Sequence, residues 1–105
     1  GQIANQAGVQ LTQAGIGRMF CLAGIGGHVN GMIESTKAGK IIVAIDGCPV
    51  ACARKTLEHA GFKIDDYVVI TDLGVEKNHH FDLPPSDVGK VTEHLKARIA
   101  RRKAA

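Results

Sequence analysis

The run Asp46-Gly47-Cys48-Pro49-Val50-Ala51-Cys52 follows directly on the apolar stretch Ile41-Ile42-Val43-Ala44-Ile45. A β-branched stretch broken by Asp-Gly and proline predicts a buried strand, a tight turn and the start of a helix. Pro49 suits the first helical turn, where its missing N–H leaves nothing unpaired. On such a helix Cys48 and Cys52 lie one turn apart on the same face. A helix N-terminus stabilises negative charge and so suits thiolate. Adjacent thiolates at the end of a strand make a soft-metal site or a redox pair. The plainer alternative is two small cysteines packing a helix against a sheet.

The rest of the chain repeats this alternation. Ile3, Ala7, Leu11 and Ala14 recur at helical spacing, and Gly15 and Gly17 end that helix. Met19 to Ala23 is apolar without alternation and reads as a short buried strand. Gly24-Ile25-Gly26-Gly27 reads as a turn, followed by a helix with Val29, Met32, Ile33 and Thr36 on one face, closed near Gly39. Lys40 to Ile45 is a strand, and Pro49 to Ala60 a helix stopped by Gly61. Tyr67 to Thr71 is a third buried strand. A polar loop over 74–85 ends at Pro84-Pro85. Ser86 then caps a last helix with Val88, Val91, Leu95 and Ile99 on its apolar face.

Helices alternating with buried strands predict an α/β fold with right-handed crossovers. The expected architecture is a three-layer α/β/α sandwich with a small parallel sheet, Rossmann-like or flavodoxin-like. At 105 residues the chain is expected to form one domain over 1–105. Three strands make a thin sheet for this class. A first strand ahead of Gln2 would complete it, and the chain opens at Gly1 rather than Met, so the N-terminus is expected to be incomplete.

Several functions are excluded. Aromatic residues are 4% of the chain and Trp is absent, which argues against a stacking platform for single-stranded nucleic acid. Lys90, Lys96, Arg98, Arg101, Arg102 and Lys103 face a single acid, Glu93, but no basic stripe continues elsewhere. They read as a basic helix end that complements the dipole, not as a nucleic-acid contact. No apolar run approaches the ~20 residues of a membrane span. Three cysteines make no disulfide framework, so a reducing, cytoplasmic setting is expected.

Ligands of open parallel sheets bind beyond the carboxyl ends of the strands. The strand-ending loops carry Gly24, Gly26, Gly27 and His28; then Asp46, Gly47, Cys48 and Cys52; then Asp72, Gly74, Asn78, His79 and His80. Cys21 lies a few residues below that end. Thiolate and imidazole together suit tetrahedral zinc. Cys21, Cys48 and Cys52 are the candidate ligands, with His28 and His79 as further candidates. Each has a plainer reading: Cys21 as a core residue of a strand, His28 as a residue opening a helix, His79-His80 as an exposed loop pair. Asp46 reads as a turn and cap residue rather than an acid catalyst. His59 and His94 read as helix-surface residues. Gly24, Gly26 and Gly27 are a candidate anion turn. The run is not a full dinucleotide fingerprint, since Val29 stands where a third glycine belongs, and there is no Walker lysine.

These residues carry a resemblance. Gln2-Ile3-Ala4-Asn5-Gln6, Phe20-Cys21-Leu22-Ala23-Gly24-Ile25-Gly26-Gly27-His28, the stretch Ala44 to Cys52 and Thr71-Asp72-Leu73-Gly74 together resemble the DGC-domain family, named for its central motif, here Asp46-Gly47-Cys48. The resemblance implies a small α/β domain of a prokaryotic cytoplasm, with four metal-chelating cysteines and no assigned activity. Cys21, Cys48 and Cys52 match three of them; the fourth would lie just before the first helix. The leading expectation is therefore zinc held by thiolates at the strand ends, with a metal ion as partner and a homodimer as a candidate assembly. One alternative is a thiol redox enzyme with Cys48 as nucleophile and Cys52 as resolving thiol. Another is an iron–sulfur or soft-metal sensor or carrier.

Overall fold

The computed structural model describes residues 1–77 and 83–104. Its elements are α1 (Gln2–Gln13), α2 (Leu22–Gly26), α3 (Asn30–Lys37), β1 (Val43–Asp46), α4 (Cys52–His59), β2 (Asp66–Val69), a 3₁₀ turn (Ile70–Leu73) and α5 (Pro85–Ala104). The fold is α/β, with β1 and β2 paired in parallel, Val43 opposite Asp66 and Asp46 opposite Val69.

Strand alternation sends side chains to both faces of this ribbon. Val43, Ile45 and Val68 join Ala7 and Leu11 of α1 and Val91, Leu95 and Ile99 of α5 in the larger core. Ala44 and Tyr67 point the other way, toward Ile25 of α2 and Leu57 of α4. Helices therefore cover both faces. The apolar face expected for α5 is the buried one, with Val88, Val91, Leu95 and Ile99 all inside. Among them Thr92 donates its hydroxyl hydrogen to Gln10 Oε1 at 2.8 Å, tying α5 to α1.

Three helix ends share one closure. After α1 the Ile16 N–H donates to the Leu11 carbonyl at 3.0 Å and Gly15 N–H to Thr12 at 3.1 Å. After α4 the Phe62 N–H donates to Leu57 and Gly61 N–H to Glu58, each at 3.0 Å. These are Schellman ends, which need a left-handed residue just past the helix. Gly15 and Gly61 supply it with φ of 72° and 88°. The third such end, after α2, has a histidine in that place.

Five expectations are corrected. Met19 to Ala23 forms no strand: 17–21 is irregular and Leu22 already begins α2. Met19 and Phe20 remain 43% and 37% exposed, so this segment is not the short buried strand its composition suggested. The glycine run is helix rather than turn, because the Cys21 thiol accepts the Gly24 N–H and starts a helix there. The strand expected at Tyr67 to Thr71 starts one residue earlier and tightens into the 3₁₀ turn at Ile70. Helix α4 starts at Cys52, not Pro49, behind Ala51 in a left-handed conformation (φ 62°). Ser86 lies inside the first turn of α5, which Pro85 begins. The sheet thus has two described strands where three were expected.

Candidate thiol site at the Asp-Gly-Cys turn

Asp46 closes β1 and is 5% exposed. Its carboxylate accepts the Ala53 N–H at 2.7 Å, the Arg54 N–H at 3.1 Å and the Tyr67 hydroxyl at 2.7 Å. A strand-end carboxylate thus caps α4 from outside the helix, as a cap residue would. Burial, and then the hydrogen bond to Asp46, push the Tyr67 phenol up to about 12. The Arg54 guanidinium lies 5.3 Å from the centre of the Tyr67 ring.

This cap changes the reading of the cysteines. The positive end of α4 is already taken by Asp46, and Cys48 stands in the preceding turn, its carbonyl accepting the Ala51 N–H at 3.2 Å. Cys48 and Cys52 therefore do not share a helical face, as the sequence spacing predicted. Cys48 is half-buried and Cys52 is exposed. Gly47 is required by close approach: a Cβ there would lie 2.3 Å from the Gly1 nitrogen. Any side chain would push the start of α1 off the Asp-Gly-Cys turn.

Cys21 caps α2, its Sγ accepting the Gly24 N–H at 3.3 Å. Helix α2 packs beside α4: a Cβ on Gly26 would meet Thr56 Cγ2 at 3.4 Å. The His28 and His59 rings follow, with centroids 5.5 Å apart. Contacts that advance from 26–56 to 28–59 mean that the two helices run in the same sense. Cys21 and Cys52 accordingly stand at the same, opening end of the pair.

The other candidates fall elsewhere. His28 lies past the far end of α2 and meets His59, seven residues beyond Cys52 along α4, or ~10 Å at helical rise. The helices therefore separate His28 from the thiols. His79 and His80 lie outside the described residues. Gly24 permits close helix packing, since a Cβ there would lie 2.6 Å from Met32 Cγ of α3. Gly27 ends α2. Among the described residues no three His, Cys, Asp or Glu side chains stand close enough to hold one metal ion. The described side chains, as placed, do not fit a closed tetrahedral zinc site. Cys21, Cys48 and Cys52 are all free thiols.

Two features escaped the sequence. One is the His28–His59 contact, which no periodicity connects. The other is that the exposed large apolar residues Met19, Phe20, Leu22, Val29 and Val50 gather around the chemistry. Four lie within two residues of a cysteine and Val29 adjoins His28. Their adjacency is in the sequence, but burial is the natural expectation for apolar residues there, and their exposure is what the sequence did not show.

A compact α/β unit with an Asp-Gly-Cys turn between strand and helix, closed by glycine against the first helix, defines the class. A family model described as the DGC domain matches residues 1–95, and the chain belongs to the DGC-domain family. It is similar to the protein named Anaerobic and virulence modulator AnvM of Pseudomonas aeruginosa, at 28% identity over 94 residues, covering 90% of this chain and 72% of that protein. No solved structure matches the chain. No helix among the described residues is long and apolar enough to cross a membrane.

Proposed function

We propose that this chain is a cytoplasmic regulatory protein whose thiols, Cys21, Cys48 and Cys52, bind zinc. The observation that carries this reading is the placement of Cys21 and Cys52 at the shared opening end of α2 and α4, with Cys48 in the turn that feeds α4. None of the three is held in a disulfide, and Cys21 and Cys52 are open to solvent. Binding requires the thiols to be drawn together and a further ligand to join them, with His79 one candidate. Family membership and a relative named as a modulator support a regulatory role over catalysis. The covering of both sheet faces supports a small three-layer sandwich of Rossmann-like or flavodoxin-like kind. In this reading Gly24, Gly26 and Gly27 serve helix packing rather than an anion.

Elemental analysis with thiol titration tests the proposal. The expected result is one zinc per chain, thiols protected from a thiol reagent until a chelator is added, and loss of metal in Cys48→Ser and Cys52→Ser. Metal-free protein with three freely reactive thiols would sink it.

One observation favours a second reading: three ligands do not stand ready among the described residues. In that reading Cys48 and Cys52 are a redox pair. Their two thiols form one disulfide, passing two electrons and two protons to a partner disulfide, which leaves as two thiols. Loss of two titratable thiols on mild oxidation, reversed by a dithiol, marks this chemistry. A Cys52→Ser protein that loses as many would exclude it.

A further inference from the structure

At the far end of α2 and α4 from the thiols stand two imidazoles that the thiol reading does not use. The end of α2 is a Schellman closure: Val29 N–H donates to the Gly24 carbonyl at 2.9 Å and His28 N–H to Ile25 at 3.0 Å. The left-handed place is held by glycine at the other two such ends, Gly15 and Gly61, but here by His28 at φ 54°. A side chain in that conformation is disfavoured by roughly 1 kcal/mol, so an imidazole kept there calls for a reason. Its ring meets His59, in the last turn of α4, at 5.5 Å between centroids and 68° between planes.

That separation is close to what a shared ion requires. A metal–nitrogen bond of ~2 Å puts each ring centroid about 3.2 Å from the ion, and two rings at a tetrahedral angle then stand about 5 Å apart. The centroids stand within about half an ångström of that spacing, and rotation of these exposed side chains would turn one nitrogen of each ring toward a common ion. Both histidines are exposed, so solvent can fill the remaining positions and the ion can exchange. Imidazole selects borderline ions such as zinc, nickel and copper over hard ones.

We infer that His28 and His59 form a two-imidazole site for an exchangeable borderline divalent metal ion, separate from the thiols. The site rests on residues the thiol reading leaves out, so either can fail without the other. The test is a Zn²⁺ titration of the full chain with its thiols alkylated, followed by side-chain NMR of the imidazoles. The His28 and His59 resonances should move together and saturate at one equivalent. His28→Asn, which tolerates the left-handed backbone, and His59→Gln should each weaken binding by ~10-fold or more. His94→Gln on α5 should bind as the unaltered chain does. If alkylation unfolds the protein, the Cys21→Ser/Cys48→Ser/Cys52→Ser chain carries the same titration. Zinc uptake unchanged by either histidine variant, lost in only one of them, or seen only with free thiols would overturn the inference.

Discussion

On one face of the sheet, Ala7, Val91 and Leu95 are wholly inaccessible and Leu11 is 5% exposed, in a continuous seam between α1 and α5. On the other face the buried cluster among the described residues is Ile25, Ala44 and Leu57, and helix contacts run through Gly24, Gly26 and a pair of exposed histidines. The first face holds the fold and carries no candidate chemistry. The second carries Cys21, Cys52, His28 and His59 on short helices with little buried area to fix them. Low local stability is where groups that must move to meet a ligand are expected.

Core truncations test this contrast most strongly. Leu95→Ala should lower unfolding free energy by about 4 kcal/mol, and Leu57→Ala by about 2.5 kcal/mol, since the smaller cluster can relax around the gap. Denaturant titrations of both variants measure the difference. Equal losses would mean that the two faces are one cooperative core.

The ion pair at the start of β2 sharpens the contrast next. Asp66, 7% exposed, is gripped by two nitrogens of Arg98, with Arg102 at 3.9 Å, beside an open cleft of about 430 Å³ that Arg101 also lines. The hydrogen bonds from Arg98 hold the Asp66 carboxyl below its usual range, against the opposing effect of burial. A carboxyl depressed by folding stabilises the folded state fully above its ordinary value near 3.8, and that stabilisation is lost as pH falls through the lower folded value. Arg98→Met should cost about 2 kcal/mol at neutral pH, a loss limited by the exposure of Arg98 and the nearness of Arg102. The gap between the two proteins should shrink below about pH 4. A gap independent of pH would show that Arg98 acts through packing alone.

The smallest expected effect lies on the second face, where Tyr67 meets Asp46. Tyr67→Phe removes one of the three hydrogen bonds to Asp46 and should cost about 1 kcal/mol. Because folding raises the phenol from 10.0 to about 12, the stability it contributes is complete below pH 10 and lost as pH rises toward 12. A phenolate absorbance titration of the single tyrosine measures this directly. Ionisation near 10 would mean that Asp46 does not hold the hydroxyl.

Much of the fold was legible because period and chemistry agree locally. The α5 and α1 faces follow from apolar spacing, and Gly15 and Gly61 mark helix ends where only glycine is at ease; the strand expected at Lys40 to Ile45 follows from its β-branched residues, although β1 runs Val43–Asp46. The Met19 to Ala23 segment was misread because composition reports apolarity but not whether a neighbouring strand exists to bury it. The start of α4 was misread because Pro49 is a generic helix opener, while the actual cap, Asp46, sits before the turn and reaches across it. The three thiols were legible as residue types, but Cys21 caps a helix where a strand was expected. His28 was grouped with it because sequence order cannot show at which end of a helix a side chain acts.

By itself the sequence determined the α/β alternation, the family-defining Asp-Gly-Cys turn and the identity of the three thiols, since each rests on interactions within a few residues. Only the tertiary structure decided that α2 and α4 run side by side in the same sense. That pairing depends on Gly26 admitting Thr56 of α4, thirty residues along the chain. It sets Cys21 and Cys52 at one end of the pair and His28 against His59 at the other.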